Sequence, residues 1–135
     1  MLTERERERL QNVFGQFPEV RAVYLFGSAA EGRRGPESDL DLGVLADEEA
    51  FAEHKLELLT ELARAGIDEV DLLLLNTADT VTRFEAVRPN MLIYRSGDFD
   101  HDAFYSLVVR KYLDLKPYLE RQRAAYKERL RRGST

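Results

Sequence analysis

The order of apolar and polar positions along the chain divides it into alternating helical and extended segments. Helices are indicated where apolar residues recur every three or four positions, or where Glu and Arg alternate behind a capping residue. Strands are indicated where short runs are rich in β-branched, aromatic or alternating apolar residues. The patterns predict helices at 3–14, 29–31, 47–65, 79–88 and from 100 onward, and strands at 20–26, 39–45, 68–75 and 91–94.

These elements predict one α/β (α+β) domain, in which a small mixed β-sheet is flanked by helices. We assign residues 1–99 to the core and residues 100–135 to a C-terminal helical extension, packed on the core or projecting from it. We expect Pro117 to kink or divide that last helix, because proline removes a backbone donor and clashes with the preceding turn. The apolar residues of the extension have helical spacing: Phe104, Leu107, Val108, Tyr112, Leu115 and Leu119.

Composition limits the chemistry that the chain can perform. Its 135 residues include no Cys and two His, which excludes disulfides, thiolate zinc sites and a cysteine nucleophile. A bound metal would need oxygen ligands, as Mg²⁺, Mn²⁺ and Ca²⁺ prefer. The N-terminus is charged, and the longest apolar run, 72–75, is too short to span a membrane. We expect a soluble cytoplasmic protein that does not associate with membranes.

Charge is distributed unevenly along the chain. Residues 1–115 hold 13 basic and 23 acidic side chains, whereas residues 116–135 hold seven basic and two acidic ones. A basic tail on an acidic body is consistent with binding to nucleic acid or to an acidic partner. A solvated helix face carries charges of the same kind and is the other interpretation.

Three carboxylates are the candidates for chemistry. Asp39 and Asp41 lie two positions apart on a predicted strand, so their side chains leave the same face. Their mutual repulsion costs stability unless a cation neutralises it, and Mg²⁺ binds one or two carboxylates together with substrate phosphates. Asp71 begins the apolar part of the next strand. Three carboxylates on adjacent strands can hold two ions about 3.5–4 Å apart, the spacing of two-metal phosphoryl-transfer sites.

Gly27 and Ser28 end the strand that precedes these carboxylates. Glycine allows the backbone to turn and to approach a ligand closely. The amides of the short helical stretch that follows, with the Ser28 hydroxyl, would then point at an anion. We therefore expect this turn to hold the terminal phosphates of a nucleotide. His101, among Asp98, Asp100 and Asp102, is explained by an acid-rich helix start rather than by a metal cluster.

The combination of Gly27-Ser28, Ser38-Asp39-x-Asp41 and the later Asp71 resembles the nucleotidyltransferase superfamily of DNA polymerase β type. The motif covers residues 25–44 closely, and the order of elements fits about residues 10–95. Within that superfamily the short chain is similar to the minimal nucleotidyltransferases, the MNT proteins of HEPN/MNT toxin–antitoxin pairs. The C-terminal part is also similar, though less specifically.

The resemblance implies roles for seven residues. Asp39, Asp41 and Asp71 would bind Mg²⁺ or Mn²⁺, and Asp71 would also orient or deprotonate the attacking hydroxyl. A basic residue often follows Gly-Ser in this family, but here Ala29 follows, so a phosphate contact is either missing or supplied by Arg33 or Arg34. The residues that would bind the ATP triphosphate are Gly27, Ser28, Ser38 and Arg33.

By the same resemblance the chain is a Mg²⁺-dependent adenylyltransferase that uses ATP, modifies a HEPN ribonuclease toxin and acts as its antitoxin. One alternative is a non-catalytic antitoxin that only masks its partner. Another is a nucleotidyltransferase that acts on a small-molecule or nucleic-acid hydroxyl. We expect residues 118–132 to contact the cognate toxin or a second copy of the chain, which leaves a homo-oligomer open, and we do not expect nucleic acid to bind.

Overall fold

The computed structural model describes residues 2–32 and 39–133 of the chain. Within these residues it contains a mixed four-stranded sheet with flanking helices, as the sequence predicts. In chain order the elements are α1 (Glu4–Phe14), β1 (Val20–Phe26), α2 (Gly27–Ala30), β2 (Leu40–Ala46), α3 (Glu48–Arg64), β3 (Val70–Leu74), α4 (Thr80–Val87), β4 (Leu92–Arg95) and α5 (His101–Gly133).

The helix starts follow the capping signals in the sequence. The Thr3 hydroxyl accepts the Glu6 amide at 3.1 Å, and the Glu6 carboxylate accepts the Thr3 amide at the same distance. Asp47 and Asp79 cap α3 and α4 by accepting a backbone amide three residues later. Each cap satisfies a donor that has no partner within its helix, which fixes where the helix begins.

The end of α3 depends on Gly66, which follows the last residue of the helix turn. Gly66 has a φ of +86°, a left-handed conformation that glycine adopts without a steric cost. Its amide donates to the carbonyl of Ala63 at 2.9 Å, and the next amide, of Ile67, donates to the carbonyl of Leu62 at 2.8 Å. This hydrogen-bond pattern is the Schellman motif. It turns the chain back towards β3.

The sheet has the strand order β3-β2-β1-β4. Strand β1 pairs antiparallel with β2 and with β4, whereas β2 pairs parallel with β3. The parallel pair is connected through α3, which makes the 17-residue helix a crossover connection. As a result, the N-terminal ends of β2 and β3 lie at the same end of the sheet as the C-terminal end of β1.

The two faces of the sheet are covered by different helices. Helices α1 and α3 pack on one face, where buried residues from both helices and from all four strands form a large apolar cluster. Helix α4 and the first part of α5 pack on the other face and form a smaller cluster. The buried members of the smaller cluster are Ala22, Tyr24, Leu75, Ala86, Val87 and Val108.

Helix α5 runs for 33 residues without a break and includes Pro117, so of the two expected effects of this proline, a kink or a division, the division does not occur. Its first part is held by Val108, which is 2% exposed, and by Tyr112, whose ring stacks on Phe84 at a centroid distance of 3.8 Å. Every residue of α5 beyond Leu119 is exposed. No helix in the described part of the chain, α5 included, is both long and apolar enough to cross a membrane.

Candidate active site

The sheet register brings the three candidate carboxylates close to the C-terminal end of β1. Asp41 is directly opposite Phe26 in the antiparallel pair of β1 and β2. Asp41 is also the partner of Asp71 in the parallel pair of β2 and β3. Asp39 lies immediately before β2, which begins at Leu40 rather than at Asp39 as the sequence indicated. The three acids thus lie at one end of two adjacent strands.

Alternation along β2 determines which way the carboxylates point. Leu40 and Leu42 are fully buried among the residues packed by α1 and α3. Asp41, between them, projects from the opposite face and is half-buried. Asp71 and Asp39 are exposed. The carboxylates therefore lie on the face that carries α4 and α5, open to solvent and to a ligand.

The electrostatics of the site are those of crowded negative charge. Burial raises the pKa of the Asp41 carboxyl, and the neighbouring charges of Asp71 and then Asp39 raise the pKa further. Both effects disfavour the ionised form. Because the two neighbouring carboxylates act on Asp41 in the same direction, the site carries a repulsion that a bound cation would relieve.

Gly27 forms the wall against which the Asp41 side chain packs. It has a φ of +71°, and a Cβ atom built there would collide with Oδ2 of Asp41 and lie 3.1 Å from its Cγ. Helix α2 begins at Gly27, so the helical stretch predicted at 29–31 starts two residues earlier than expected. Ser28 is half-buried in that first turn. The Gly-Ser turn and the central carboxylate are therefore in contact.

Three residues considered as phosphate contacts, Arg33, Arg34 and Ser38, lie outside the described residues. The described part of the chain contains another cation close to this turn, which the sequence reasoning missed. The Arg88 guanidinium donates to the carboxylate of Glu31, the residue that follows α2, at 3.4 Å. The sequence position of Arg88, just after α4, did not indicate this contact, because only folding brings the end of α4 close to the end of α2.

The donor set is suited to a hard cation that also binds a phosphate. Within residues 2–32 and 39–133, no group of three or more Asp, Glu or His side chains lies close enough together to hold a metal ion. Mg²⁺ commonly takes one or two carboxylates and completes its octahedron with substrate phosphates and water. Asp39 and Asp41, with the repulsion around Asp41, fit that mode of binding rather than an all-protein cage.

A second polar cluster lies on the same face of the sheet. The Tyr24 hydroxyl is 2.8 Å from Nδ1 of His101, and Nε2 of His101 is 2.9 Å from Oδ1 of Asn90. Since Asn90 Oδ1 can only accept, Nε2 carries the proton and Nδ1 accepts from the hydroxyl. Burial raises the pKa of Tyr24 well above its ordinary value, which keeps it a neutral donor. His101 therefore fastens the start of α5 to β1, a role that its acidic neighbours in the sequence did not indicate.

A cleft of about 660 Å³ lies at the opposite end of β1 and β2 from these carboxylates, next to Glu19, Arg21 and Asp47. The Gly-Ser and Asp-x-Asp motif lies at the other end of both strands. The cleft and the carboxylate cluster are therefore separate features of the sheet.

A mixed sheet with paired carboxylates on adjacent strands, next to a Gly-Ser turn, defines a nucleotidyltransferase-type site. The family model described as polymerase beta, nucleotidyltransferase matches residues 8–98. The chain therefore belongs to the polymerase beta nucleotidyltransferase family, as its motif indicated.

Comparison with individual relatives shows which members of this family the chain resembles. The chain is 30% identical to protein adenylyltransferase MntA of Shewanella oneidensis over 108 residues, which is 80% of this chain and 74% of the relative. It superposes on a toxin–antitoxin structure with AMP-PNP with a TM-score of 0.63 at 25% identity, covering 92% of this chain and 97% of the other. A complex of tri-AMPylated Shewanella oneidensis HEPN toxin with MNT antitoxin matches with a TM-score of 0.58, covering 96% and 98%; at 24% identity it supports the fold alone.

Proposed function

We propose that this chain is a Mg²⁺-dependent protein adenylyltransferase that transfers AMP from ATP to a hydroxyl of a cognate HEPN toxin and thereby acts as its antitoxin. The relationship to MntA, a protein adenylyltransferase, supports the reaction.

The observation that carries the proposal is the register of two carboxylates. Asp41 and Asp71 are paired across β2 and β3, and Asp41 also contacts the Gly27 turn. One carboxylate thus lies beside the nucleotide turn, and its partner lies one strand further along the sheet. This arrangement separates a donor side from an acceptor side within a single site.

The carboxylates would divide the chemistry between them. Asp39 and Asp41 would hold the metal ion, which supplies charge neutralisation at the α-phosphate when it is bound. Asp71 would complete the coordination of an ion on the acceptor side, and would orient or deprotonate the acceptor hydroxyl. The acceptor oxygen then forms a bond to the α-phosphorus as the bond to the β-phosphate oxygen breaks, and pyrophosphate leaves. Such catalysis rests on positioning and electrostatics, so the site needs no histidine.

The Gly27 turn would position the leaving pyrophosphate. The absence of a side chain at Gly27 lets the backbone lie against the Asp41 carboxylate. The Ser28 hydroxyl would donate to a phosphate oxygen. Arg33 and Ser38, which lie between α2 and β2 in the sequence, are proposed to contribute further phosphate contacts.

The test is transfer of label from α-³²P-ATP to the purified cognate toxin. We expect labelling with Mg²⁺ or Mn²⁺ and none in excess EDTA. Asp39→Asn with Asp41→Asn should lower the rate of transfer by about a thousandfold or more. The double change removes the ligands of a cation that would stabilise the charge of the transition state by several kcal/mol. The matched control is Glu48→Gln with Glu49→Gln, which removes two charges beyond the opposite end of β2.

The alternatives predict different results. A non-catalytic masking antitoxin would inhibit the toxin without transferring label, and the double Asp variant would protect as well as the original chain. A transferase for small molecules or nucleic acid would label such an acceptor and leave the toxin unlabelled.

For Asp71, the matched pair of variants is Asp71→Asn and Asp68→Asn. We expect only Asp71→Asn to reduce the rate of transfer to the toxin.

A further inference from the structure

The face of α5 that packs on the core continues past the end of the core. Val108 is 2% exposed, Leu115 and Leu119 are half-buried, and Tyr126 is 57% exposed, although all four lie on the same side of the helix. Their spacing alternates between four and three residues, which is the repeat of helix-packing seams. We call this row the α5 seam: Val108, Tyr112, Leu115, Leu119, Gln122 and Tyr126.

The second half of the seam has nothing packed against it within the described residues. From Glu120 to Gly133 every residue of α5 is exposed, and an isolated helical segment of about that length is marginally stable in water. It nevertheless presents large apolar side chains, Tyr126 and Leu130, which are 57% and 56% exposed. Aromatic side chains surrounded by arginine are enriched at protein interfaces.

Charge identifies what kind of surface would cover the seam. At about 100° per residue, Glu128 lies on the side of the helix opposite the centre of the seam, where it pairs with Arg132, and Glu120 lies about 120° from that centre. Four basic residues flank the seam more closely: Lys116, Arg123, Lys127 and Arg129. The uncovered seam is therefore an apolar row with basic borders.

A second copy of the tail is a poor occupant of this surface. Residues 116–135 hold seven basic and two acidic side chains, so two seams side by side would place basic borders on basic borders. An acidic helix face would instead supply both apolar contact and opposite charge. The first half of the seam packs on the same face of the sheet as Asp41 and Asp71, so a protein docked on its continuation would approach from the carboxylate side.

We propose that the uncovered continuation of the α5 seam, residues 122–130, docks an acidic helical surface of the protein acceptor and so delivers its hydroxyl to the site. The identity of that acceptor as the cognate HEPN toxin rests on the proposed function. The docking surface itself rests on the continuity of the seam, its exposure and the charge of its borders.

The test compares two double variants of the full chain that remove the same side chains from different sides of α5. Tyr126→Ala with Leu130→Ala changes exposed residues on the seam side of α5, whereas Leu113→Ala with Tyr118→Ala changes residues of similar exposure further from the centre of the seam. By calorimetry with the purified cognate toxin, we expect the seam variant to bind at least tenfold more weakly and the control to remain within twofold. Equal effects of the two variants, or no effect of either, would overturn the inference.

A charge pair tests the borders in the same assay. Arg123→Glu with Lys127→Glu reverses two border charges, and Arg121→Glu with Arg132→Glu makes the same change on the outer side. We expect a tenfold or larger loss of toxin binding for the first pair only. Equal loss of binding to a single-stranded RNA oligonucleotide in both pairs, with toxin binding unchanged, would instead assign the tail to nucleic acid. Sedimentation of the chain alone would reveal a seam-dependent dimer, which would also contradict the proposal.

The docking proposal and the proposed function can fail separately. Binding of AMP-PNP with Mg²⁺ and the helical circular dichroism of all four variants are expected to match those of the original chain. If toxin binding depends on the seam but no AMP is transferred, the docking surface stands and the adenylyltransferase function fails. If AMP is transferred and both double variants bind alike, the function stands and the docking surface is wrong.

Discussion

The two faces of the sheet contrast in cover and in chemistry. Among the described residues, the face under α1 and α3 has an apolar cluster of eighteen buried members, which include Phe14, Leu42 and Leu62. Among the same residues, the face under α4 and α5 has six buried members, and its open end carries the Asp41 carboxylate against the Gly27 turn. Stability is concentrated on one face, and this leaves the other free to hold mutually repelling charges and a long projecting helix.

The largest effect on stability is expected from a cavity in the apolar cluster under α1 and α3. Leu62 is completely buried in α3, whereas Leu56 in the same helix is 78% exposed. Leu62→Ala should lower the free energy of unfolding by about 3 kcal/mol, because it removes buried methyl groups and leaves a cavity. Leu56→Ala should change it by less than about 0.5 kcal/mol. Urea denaturation measures both, and equal losses would contradict the division between the faces.

The next largest effect is expected at the site end of the other face. Gly27→Ala would place a Cβ against Oδ2 of Asp41 and strain a φ of +71°. We expect a loss of about 2 kcal/mol of transition-state stabilisation, or roughly thirtyfold in transfer rate. Gly32→Ala is the matched control, because Gly32 has a similar φ of +74° but no atom within 4 Å of its built Cβ. Similar rate losses in both variants would assign the effect to backbone strain rather than to the carboxylate.

How far the sequence could predict these features depends on whether their signals are local. Thr3, Asp47 and Asp79 cap their helices by accepting a backbone amide three positions later, and Gly66 ends α3 within the same turn, so these boundaries depend on residues a few positions away. The burial of Leu40 and Leu42 beside Asp41 follows from alternation within one strand. The expected division of α5 at Pro117 failed, since a local breaking tendency was overridden in the folded chain.

Contacts that depend on long-range packing could not be predicted from the sequence. The contact between Tyr24 and His101 joins residues 77 positions apart, and neither residue type predicts its partner. The approach of Arg88 to Glu31 likewise depends on how α4 lies across the sheet. The pairing of Asp41 with Asp71 is intermediate, because it required the correct register between two strands that the sequence could place only approximately.

A smaller effect is expected from the hydrogen bond between Tyr24 and His101, which holds the start of α5 to β1. Tyr24→Phe removes the hydroxyl that donates to Nδ1 of His101 and should cost about 1 kcal/mol, the usual net contribution of a hydrogen bond. Tyr126→Phe, at an exposed position, is the control and should leave the free energy of unfolding unchanged. A loss confined to Tyr24→Phe would show that the hydrogen bond helps to hold the thinner face together. Indistinguishable melting of both variants would remove that role.

The smallest effect is expected in the pH dependence of stability, where Asp41, which is repelled by its neighbours, should differ from the helix cap Asp79. The pKa of Asp41 is raised in the folded chain, so its charge subtracts stability above the raised value, and the penalty disappears as pH falls below it. Asp41→Asn should therefore stabilise the metal-free chain at pH 7, by up to about 0.5 kcal/mol. The gain should shrink as the pH is lowered through the raised value.

The cap residue Asp79 should give a profile of the opposite sign. Hydrogen bonds to the backbone at Thr82 lower its pKa, so its charge adds stability above its ordinary pKa, and the contribution is lost as pH falls through the lowered value. Asp79→Ala should therefore destabilise the chain at pH 7 and converge with the original chain in acid. Thermal melts from pH 7 to pH 3 in EDTA measure both profiles. If Asp41→Asn destabilised the metal-free chain at pH 7, the carboxylate end of the sheet would be a source of stability, and the contrast between the two faces would be wrong.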